Sequence, residues 1–445
     1  MWNAVSFIQE SGCKRETMGQ TSISDVKPAA VQSPPPGPAA SPPADYPRSR
    51  LPVAPALSLA SFLRMGGPQA PSILDAGEVR FVTSGRVAIA LALKEMGVGP
   101  GDTVLVPSYH CASMIEPVIW AGATPLFYRI NPDTTVDLDD LACKAAGATS
   151  LKALMATNYY GFHQPLPALR AFCDARGIRL LEDCAHSFLG RHAGRPLGSW
   201  GDYAIASSMK FFPVYEGGCL VSSRHRLDGV RLQSAGAGFE AKVLLNSVEN
   251  GFAYGRLPLL RALMALPMAA KTALWGLIKA RHQGLGTALA PGSSDGGFGF
   301  DPAWLTKRSS LYSRLMLRLV SHRRMGELRR RNYQRLYDAL SALPGCRPLF
   351  PTLPDGVVPW VFPLLCDEPQ ALFRQLKGAG VPVIRFGEYL WPGVDATVCE
   401  NSVNLSRRVL QFPCHQELRA GEIEWMIGQV RGAIVGATGE EGNLR

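Results

Sequence analysis

The stretch Ala206-Ser-Ser-Met-Lys-Phe-Phe-Pro-Val-Tyr-Glu-Gly-Gly218 decides how this chain is read. Lys210 stands in it as a single cation inside an otherwise apolar run. A lysine kept for solubility sits among polar neighbours. One framed by apolar residues is held at the rim of a core, where burial favours the neutral amine. Upstream, a second apolar run ends in Leu180-Leu-Glu-Asp-Cys-Ala-His186. The two runs read as strands that deliver an amine and an acid to one place.

Working outward, the chain from about Val79 alternates short apolar runs with helical patterns. Strands are expected over 103–106, 124–128, 151–156, 178–181, 203–206 and 219–222. Helices are expected over 87–96 and 166–175, with Gly99-Pro-Gly-Asp102 as a turn. Such alternation argues for an α/β fold with a mostly parallel sheet covered on both faces. Ligands of these sheets bind beyond the carboxyl ends of the strands. Asp183, Ser207 and Lys210 all fall just past such ends, which predicts one shared site. Further on, strands over 360–365 and 381–384 and helices over 372–378 and 420–430 read as a smaller α+β unit.

The chain has 445 residues, 47% of them hydrophobic and 18% charged, which describes a globular protein with a large core. The ten cysteines show no CxxC pairs or zinc-type spacing, so no metal site is expected and the thiols read as reduced, in a cytoplasmic setting. Much of the net charge of +10 lies between Lys307 and Arg335, where ten basic residues face Glu327 alone. Leu311, Leu315, Leu319 and Leu328 interleave at roughly helical spacing, so a long amphipathic helix with a solvated basic face is expected. Contact with phosphates or anionic lipid is the other reading. No nucleic-acid motif accompanies the charge.

The first 60 residues, with Pro34-Pro-Pro-Gly-Pro-Ala-Ala-Ser-Pro-Pro43, read as a disordered tail. No secretory signal is read in it, and Met18 is an alternative start. The stretch 257–279 is dense in apolar residues, but Pro258, Arg261, Pro267 and Lys271 spoil a membrane span. It reads as a helical hairpin, packed on the protein or a partner copy, or lying in a membrane interface. A Gly- and Ser-rich loop follows over 284–299.

An amine and an acid on neighbouring strand ends are what pyridoxal 5'-phosphate chemistry requires, the amine to bond the cofactor's aldehyde and the acid to keep its ring nitrogen protonated. The ordered motifs sharpen this. They are Thr83-Ser-Gly-Arg86, Gly99-Pro-Gly-Asp-Thr-Val-Leu-Val-Pro-Ser108, Gly122-Ala-Thr-Pro-Leu-Phe-Tyr128 and Asn158-Tyr-Tyr-Gly161. Glu182-Asp-Cys-Ala-His186, Gly198-Ser-Trp-Gly-Asp202, Ser207 with Lys210, Glu216-Gly-Gly218 and 406–418 complete the set. The chain from about Phe81 onward thereby resembles the DegT/DnrJ/EryC1/StrS family of sugar aminotransferases.

The resemblance implies a pyridoxal-phosphate fold-type I, aspartate-aminotransferase-like large domain and a smaller α+β C-terminal domain. It implies Lys210 as the Schiff-base lysine and proton shuttle, Asp183 as the partner of the ring nitrogen, and His186 at the cofactor's phenolic oxygen. Ser84, Gly85 and Arg86, opening a helix whose N–H groups and dipole favour an anion, would bind phosphate with Ser207. Arg86 stands where the family commonly has Thr, and the Ser-x-x-Lys spacing is that of a short-spacing branch. The ring-stacking position falls in Tyr109-His-Cys111. Strict alignment puts Cys111 there, with His110 or Tyr109 as substitutes, and His110 is the residue chosen. Arg385, Arg407 and Arg408 are candidates for a substrate carboxylate or phosphate, or for ordinary salt bridges.

The expected organisation is a tail over 1–60, a cofactor-binding domain over 61–256, an apolar insertion and Gly-rich loop over 257–300, a basic linking helix over 301–343, a small domain over 344–434 and a tail over 435–445. By resemblance the function is amino transfer from an amino acid, glutamate in the usual case, to a nucleotide-linked keto-sugar in polysaccharide or glycoconjugate biosynthesis, in a homodimer. Two alternatives stay open. One is another pyridoxal reaction such as sugar dehydration, against which the intact Lys210 argues. The other is a non-catalytic assembly or regulatory protein at a membrane surface, supported by the basic and apolar stretches.

Overall fold

The computed structural model describes residues 46–264 and 300–441. The proline-rich run 34–43, Met18, most of the apolar stretch 257–279 and the loop 284–299 lie outside the described residues, as does the end of the 435–445 tail.

The chain lays down β1 (Glu78–Val82), α1 (Gly85–Glu95), β2 (Thr103–Pro107), α2 (Ala112–Trp120), β3 (Thr124–Tyr128), α3 (Leu138–Gly147), β4 (Leu151–Thr157), α4 (Leu166–Arg176) and β5 (Arg179–Asp183). A small hairpin, β6 (Arg191–His192) and β7 (Arg195–Pro196), precedes β8 (Tyr203–Ser207) and β9 (Gly218–Ser222). Then come α5 (Ala237–Ala253), α6 (Pro258–Leu263), α7 (Leu311–Leu319) and α8 (His322–Leu340). The C-terminal part holds β10 (Cys346–Pro348), β11 (Val361–Cys366), α9 (Pro369–Gly378), α10 (Ala396–Arg408), β12 (Val409–Pro413) and α11 (Ala420–Glu441).

Seven strands form one sheet in the order β1-β9-β8-β5-β4-β2-β3. The steps from β8 through β5, β4 and β2 to β3 are parallel, and β9 runs against both of its neighbours. This is the mostly parallel α/β sheet expected. Its central strands carry apolar cores because both faces are covered. Val104, Leu105, Val106, Leu154, Met155, Leu180 and Ile205 are all buried. The C-terminal part adds a separate antiparallel sheet, β10-β11-β12. Asp202 pins the opposite end of the large sheet, paired with Arg170 at 2.6 Å and with Arg179 at 3.1 Å while accepting from the Leu180 N–H.

Three expectations are corrected. Residues 46–60, assigned to the tail, are packed: Leu51, Ala56 and Leu57 are buried, Arg50 N–H bonds Gly380 O, and the Pro52 carbonyl meets His415 Nε2 at 2.9 Å. The single basic helix is two helices, because Ser321 caps α8 by accepting from the Arg324 N–H after Val320 turns extended. Its basic face is only partly solvated. Arg324 pairs with Glu417, Arg335 with Glu424, and Arg329 is wholly buried. The strand expected over 381–384 reduces to one bridge, Ile384 with Gln411. Among the described residues no helix is long and apolar enough to cross a membrane.

Candidate active site

The sheet's topology brings distant residues to one edge. β1, β2, β4, β5 and β8 run in the same sense, so Val82, Pro107, Thr157, Asp183 and Ser207 end together. β9 begins at that edge with Gly218, opposite both Val82 and Ser207. Beyond the edge lies a cavity of about 420 Å³. Ser84, Gly85, Arg86, Asp183, His186, Ser207 and Lys210 all line it.

Strand pleating decides which acid faces the cavity. Glu182 and Asp183 are neighbours and point to opposite sides of the sheet. Glu182 is turned to the Gly198 and Trp200 amides, at 2.9 and 3.2 Å, and fixes that turn. Asp183 lines the cavity, with Oδ1 accepting from the Ala185 N–H at 2.8 Å and Oδ2 from the Thr157 hydroxyl at 3.4 Å. Burial pushes its carboxyl upward, opposed by the Ala185 N–H, by the Lys210 charge and by Thr157.

Lys210 closes a short turn, Ser208–Lys210, directly after β8. Burial lowers its ammonium below the usual lysine range, while Cys111 and Asp183 act the other way. Burial, reinforced by Lys210, holds His186 well below the ordinary histidine value, so its ring is neutral. The Tyr160 N–H points at His186 Nδ1, at 3.4 Å.

The opposite wall is built for an anion. Ser84 caps α1, its hydroxyl accepting from the Val87 N–H at 3.2 Å. The first N–H groups of a helix have no acceptor within it, and its dipole favours negative charge there. A Cβ on Gly218 would lie 2.6 Å from the Ser84 carbonyl carbon and 2.8 Å from Gly85 N, so β9 backs directly onto this turn. Thr83 Oγ1, buried beside it, has no hydrogen-bond partner among the described residues. A cradle too close for a side chain, with helix N–H groups, two serine hydroxyls and an orphaned threonine hydroxyl, fits a phosphate. Gly218→Ala is expected to displace the Thr83–Gly85 turn, costing about 1–3 kcal/mol of stability and weakening phosphate-bearing ligands. Thermal melting with titration of inorganic phosphate checks both.

Arg86 lines the same wall, but its guanidinium also lies 3.5 Å from Glu116 on α2, with both side chains largely buried.

His110 does not reach the cavity. Its Nδ1 meets the Pro107 carbonyl at 3.0 Å, its Nε2 accepts from the Trp391 N–H at 2.8 Å, and its ring stacks on Phe127. Burial pushes it down to about 4. Both ring nitrogens are committed behind the wall, and Cys111 lines the cavity in its place. Arg385 and Arg408 are also occupied elsewhere, by Gln370 and Glu388 and by Asp367 and the Cys366 carbonyl, and neither they nor Arg407 line the cavity.

Several lining residues were not anticipated. Pro52, Val53, Ala54 and Pro55 form a wall from the N-terminal segment, and Asn250 and Tyr254 contribute from α5 and just past it. Glu216, from the motif Glu216-Gly-Gly218, lines the cavity as well. Its Oε1 accepts from Ser309 and twice from Ser310, tying the chain before α7 to the cradle.

The chain is similar to known proteins. Residues 73–254 match the model of the DegT/DnrJ/EryC1/StrS aminotransferase family, and the family resemblance holds over that stretch. A UDP-N-acetyl-3-dehydro-alpha-D-glucosamine 3-aminotransferase of Acidithiobacillus ferrooxidans is 32% identical over 151 residues, 33% of this chain and 40% of that protein. A GDP-perosamine synthase of Vibrio cholerae is 33% identical over 145 residues, 32% of this chain and 39% of that protein. The matched stretch thus spans about two fifths of these relatives. Among solved structures, a DegT DnrJ EryC1 StrS aminotransferase from Brucella abortus aligns with TM-score 0.54 and 19% identity over 81% of this chain and 87% of its own. The aminotransferase TlmJ from Streptoalloteichus hindustanus aligns with TM-score 0.55 and 21% identity, over 81% and 86%. At these identities the likeness establishes the fold, that of the fold-type I enzymes.

Proposed function

We propose that this chain is a pyridoxal 5'-phosphate-dependent aminotransferase that moves an amino group from an amino acid, glutamate in the usual case, to a nucleotide-linked keto-sugar in polysaccharide or glycoconjugate biosynthesis. The observation that carries the reading is one cavity lined by the half-buried Lys210, with Asp183 and His186 beside it and an anion cradle at Thr83–Gly85 and Ser207. The family match over 73–254 and the relatives named above support it.

The cofactor, when bound, supplies an electron-withdrawing ring that stabilises the negative charge left when a donor loses its α-proton. The rest of the work falls to this chain. Lys210, shifted by burial toward the neutral form a nucleophile needs, would bond the cofactor through Nζ and, when free of it, would be the base that moves the proton. Asp183 offers a carboxylate to hold a protonated ring nitrogen. His186, neutral, offers a hydrogen bond to a phenolic oxygen. Ser84, Gly85, Thr83 and Ser207 hold phosphate, with Arg86 adding charge. Residues 52–55 line one side of the cavity.

Within this proposal the cofactor-binding part is 61–256 joined by 46–60, and the smaller part is 344–434. A cytoplasmic setting and a homodimer belong to the same reading, supported by the free cysteines and by the resemblance. Peripheral contact with a membrane is supported by Leu259 and Leu263, which α6 leaves exposed. Membership of a branch with short Ser-x-x-Lys spacing belongs to the same reading, supported by the interval from Ser207 to Lys210.

The test is the visible spectrum of the purified protein with added pyridoxal phosphate. A protein-bound band that disappears on adding glutamate, with release of 2-oxoglutarate, is the expected outcome. A protein that leaves the cofactor spectrum unchanged would sink the reading and promote the non-catalytic alternative.

A further inference from the structure

Lys210 does not extend freely into the cavity. Its Nζ lies over the Trp360 ring, 4.5 Å from the centroid. The other neighbour of that ring is His186, with centroids 4.0 Å apart and planes at 30°. Trp360 comes from just before β11, outside the stretch that matches the family. Hydrogen bonds to Tyr160 and from Arg329 hold its main chain. Its N–H donates to the Tyr160 carbonyl at 2.8 Å, and Tyr160 is itself held at φ 59°, which a non-glycine residue rarely adopts. Its own carbonyl accepts from Arg329 at 3.0 Å, and Arg329 reaches the Lys210 carbonyl with another nitrogen, also at 3.0 Å. Arg329 is wholly buried, and its remaining hydrogen bonds go to Gln416 and to the Pro359 and Phe211 carbonyls. A buried guanidinium spent on main-chain carbonyls is a positional device. It sets the spacing between the lysine's backbone and the tryptophan's.

We infer that Trp360 is the resting seat of the Lys210 side chain, a positioning residue whose indole face steadies the ammonium and sets the pH at which it becomes a neutral amine. Burial favours the neutral form, and an aromatic face favours the cation. The groups facing Nζ are Asp183 from β5, Cys111 before α2, His186 after β5 and the indole, with Arg329 of α8 behind the main chain. Trp360 is the member of this set that opposes burial without carrying a charge. It therefore adjusts the amine without drawing it away from Asp183.

The inference rests on Lys210 being the reactive amine, but it is tested on the cofactor-free full-length protein, so it stands or falls apart from transamination. Trace acetylation with acetic anhydride across a pH series reads the neutral fraction of Lys210, quantified on its peptide by mass spectrometry with Lys94 and Lys152 as internal references. Trp360→Leu keeps the site apolar and removes the π face. It is expected to lower the Lys210 midpoint by about one unit and raise labelling at neutral pH about tenfold, with Trp360→Phe about threefold. A change in access alone alters the plateau rate at high pH and leaves the midpoint in place. A midpoint that stays or rises in folded Trp360→Leu overturns the inference. Should that variant not fold, Trp360→Phe decides it by the same sign.

Discussion

Lys210→Ala is expected to reduce amine transfer by about a thousandfold or more, while the protein stays folded. The side chain removed is both the nucleophile and the proton carrier of the proposed cycle, and among the described residues no other lysine lines the cavity. Stability is expected to change little. A buried ammonium costs the folded state its hydration, so removing it offsets the lost contact with the Trp360 face. Initial rates with glutamate and a nucleotide-linked keto-sugar, alongside thermal melting, check both halves. A variant that retains a tenth of the wild-type rate would remove Lys210 from the mechanism.

Asp183→Asn is expected to cost a comparable factor, on the order of a thousandfold, for a different reason. The amide keeps the shape and still accepts from the Ala185 N–H, but it carries no charge to hold a protonated ring nitrogen. The variant also carries a pH signature. Burial raises the Asp183 pKa in the folded state, so its ionised form opposes folding at pH values above the unfolded pKa of about 4. The asparagine variant is therefore expected to melt at the same or a higher temperature at pH 7, with the gap closing as the pH falls toward 4. Loss of activity together with a lower melting temperature at pH 7 would instead mean that the carboxylate is structural. Lys210 should respond too, since one of the groups favouring its charged form is gone.

The large sheet was legible because its strands are buried on both faces and written as short apolar runs between helical patterns. The boundaries moved by a residue or two, as at Arg179–Asp183 and Leu151–Thr157. Lys210 and Asp183 were legible because a charge at the end of such a run is conspicuous. His110 was not, because three consecutive loop residues offer no periodicity to say which one turns inward. The choice is made by Trp391 and Phe127, both far from it in sequence. Trp360 and Arg329 escaped for the same reason. An aromatic before a strand and an arginine among ten basic residues are ordinary until the fold sets both against Lys210. The break between α7 and α8 did leave a trace in Ser321, a residue type that caps helices. The segment 46–60 was misjudged by its proximity to a proline-rich run, although Leu51, Ala56 and Leu57 supply an apolar face.

That segment has a consequence for how the protein is made. The wall formed by Pro52–Pro55 is held by groups that lie more than 300 residues downstream. Gly380 accepts from Arg50, His415 meets Pro52, and Glu417 accepts from the Ser58 hydroxyl at 2.6 Å. Residues near the start leave the ribosome first and find their places last. The seven-stranded sheet, complete by Ser222, can assemble while the rest of the chain is still being translated. The cavity acquires its N-terminal wall only when the final helices have emerged, so a nascent chain presents Lys210 and the cradle from an open side.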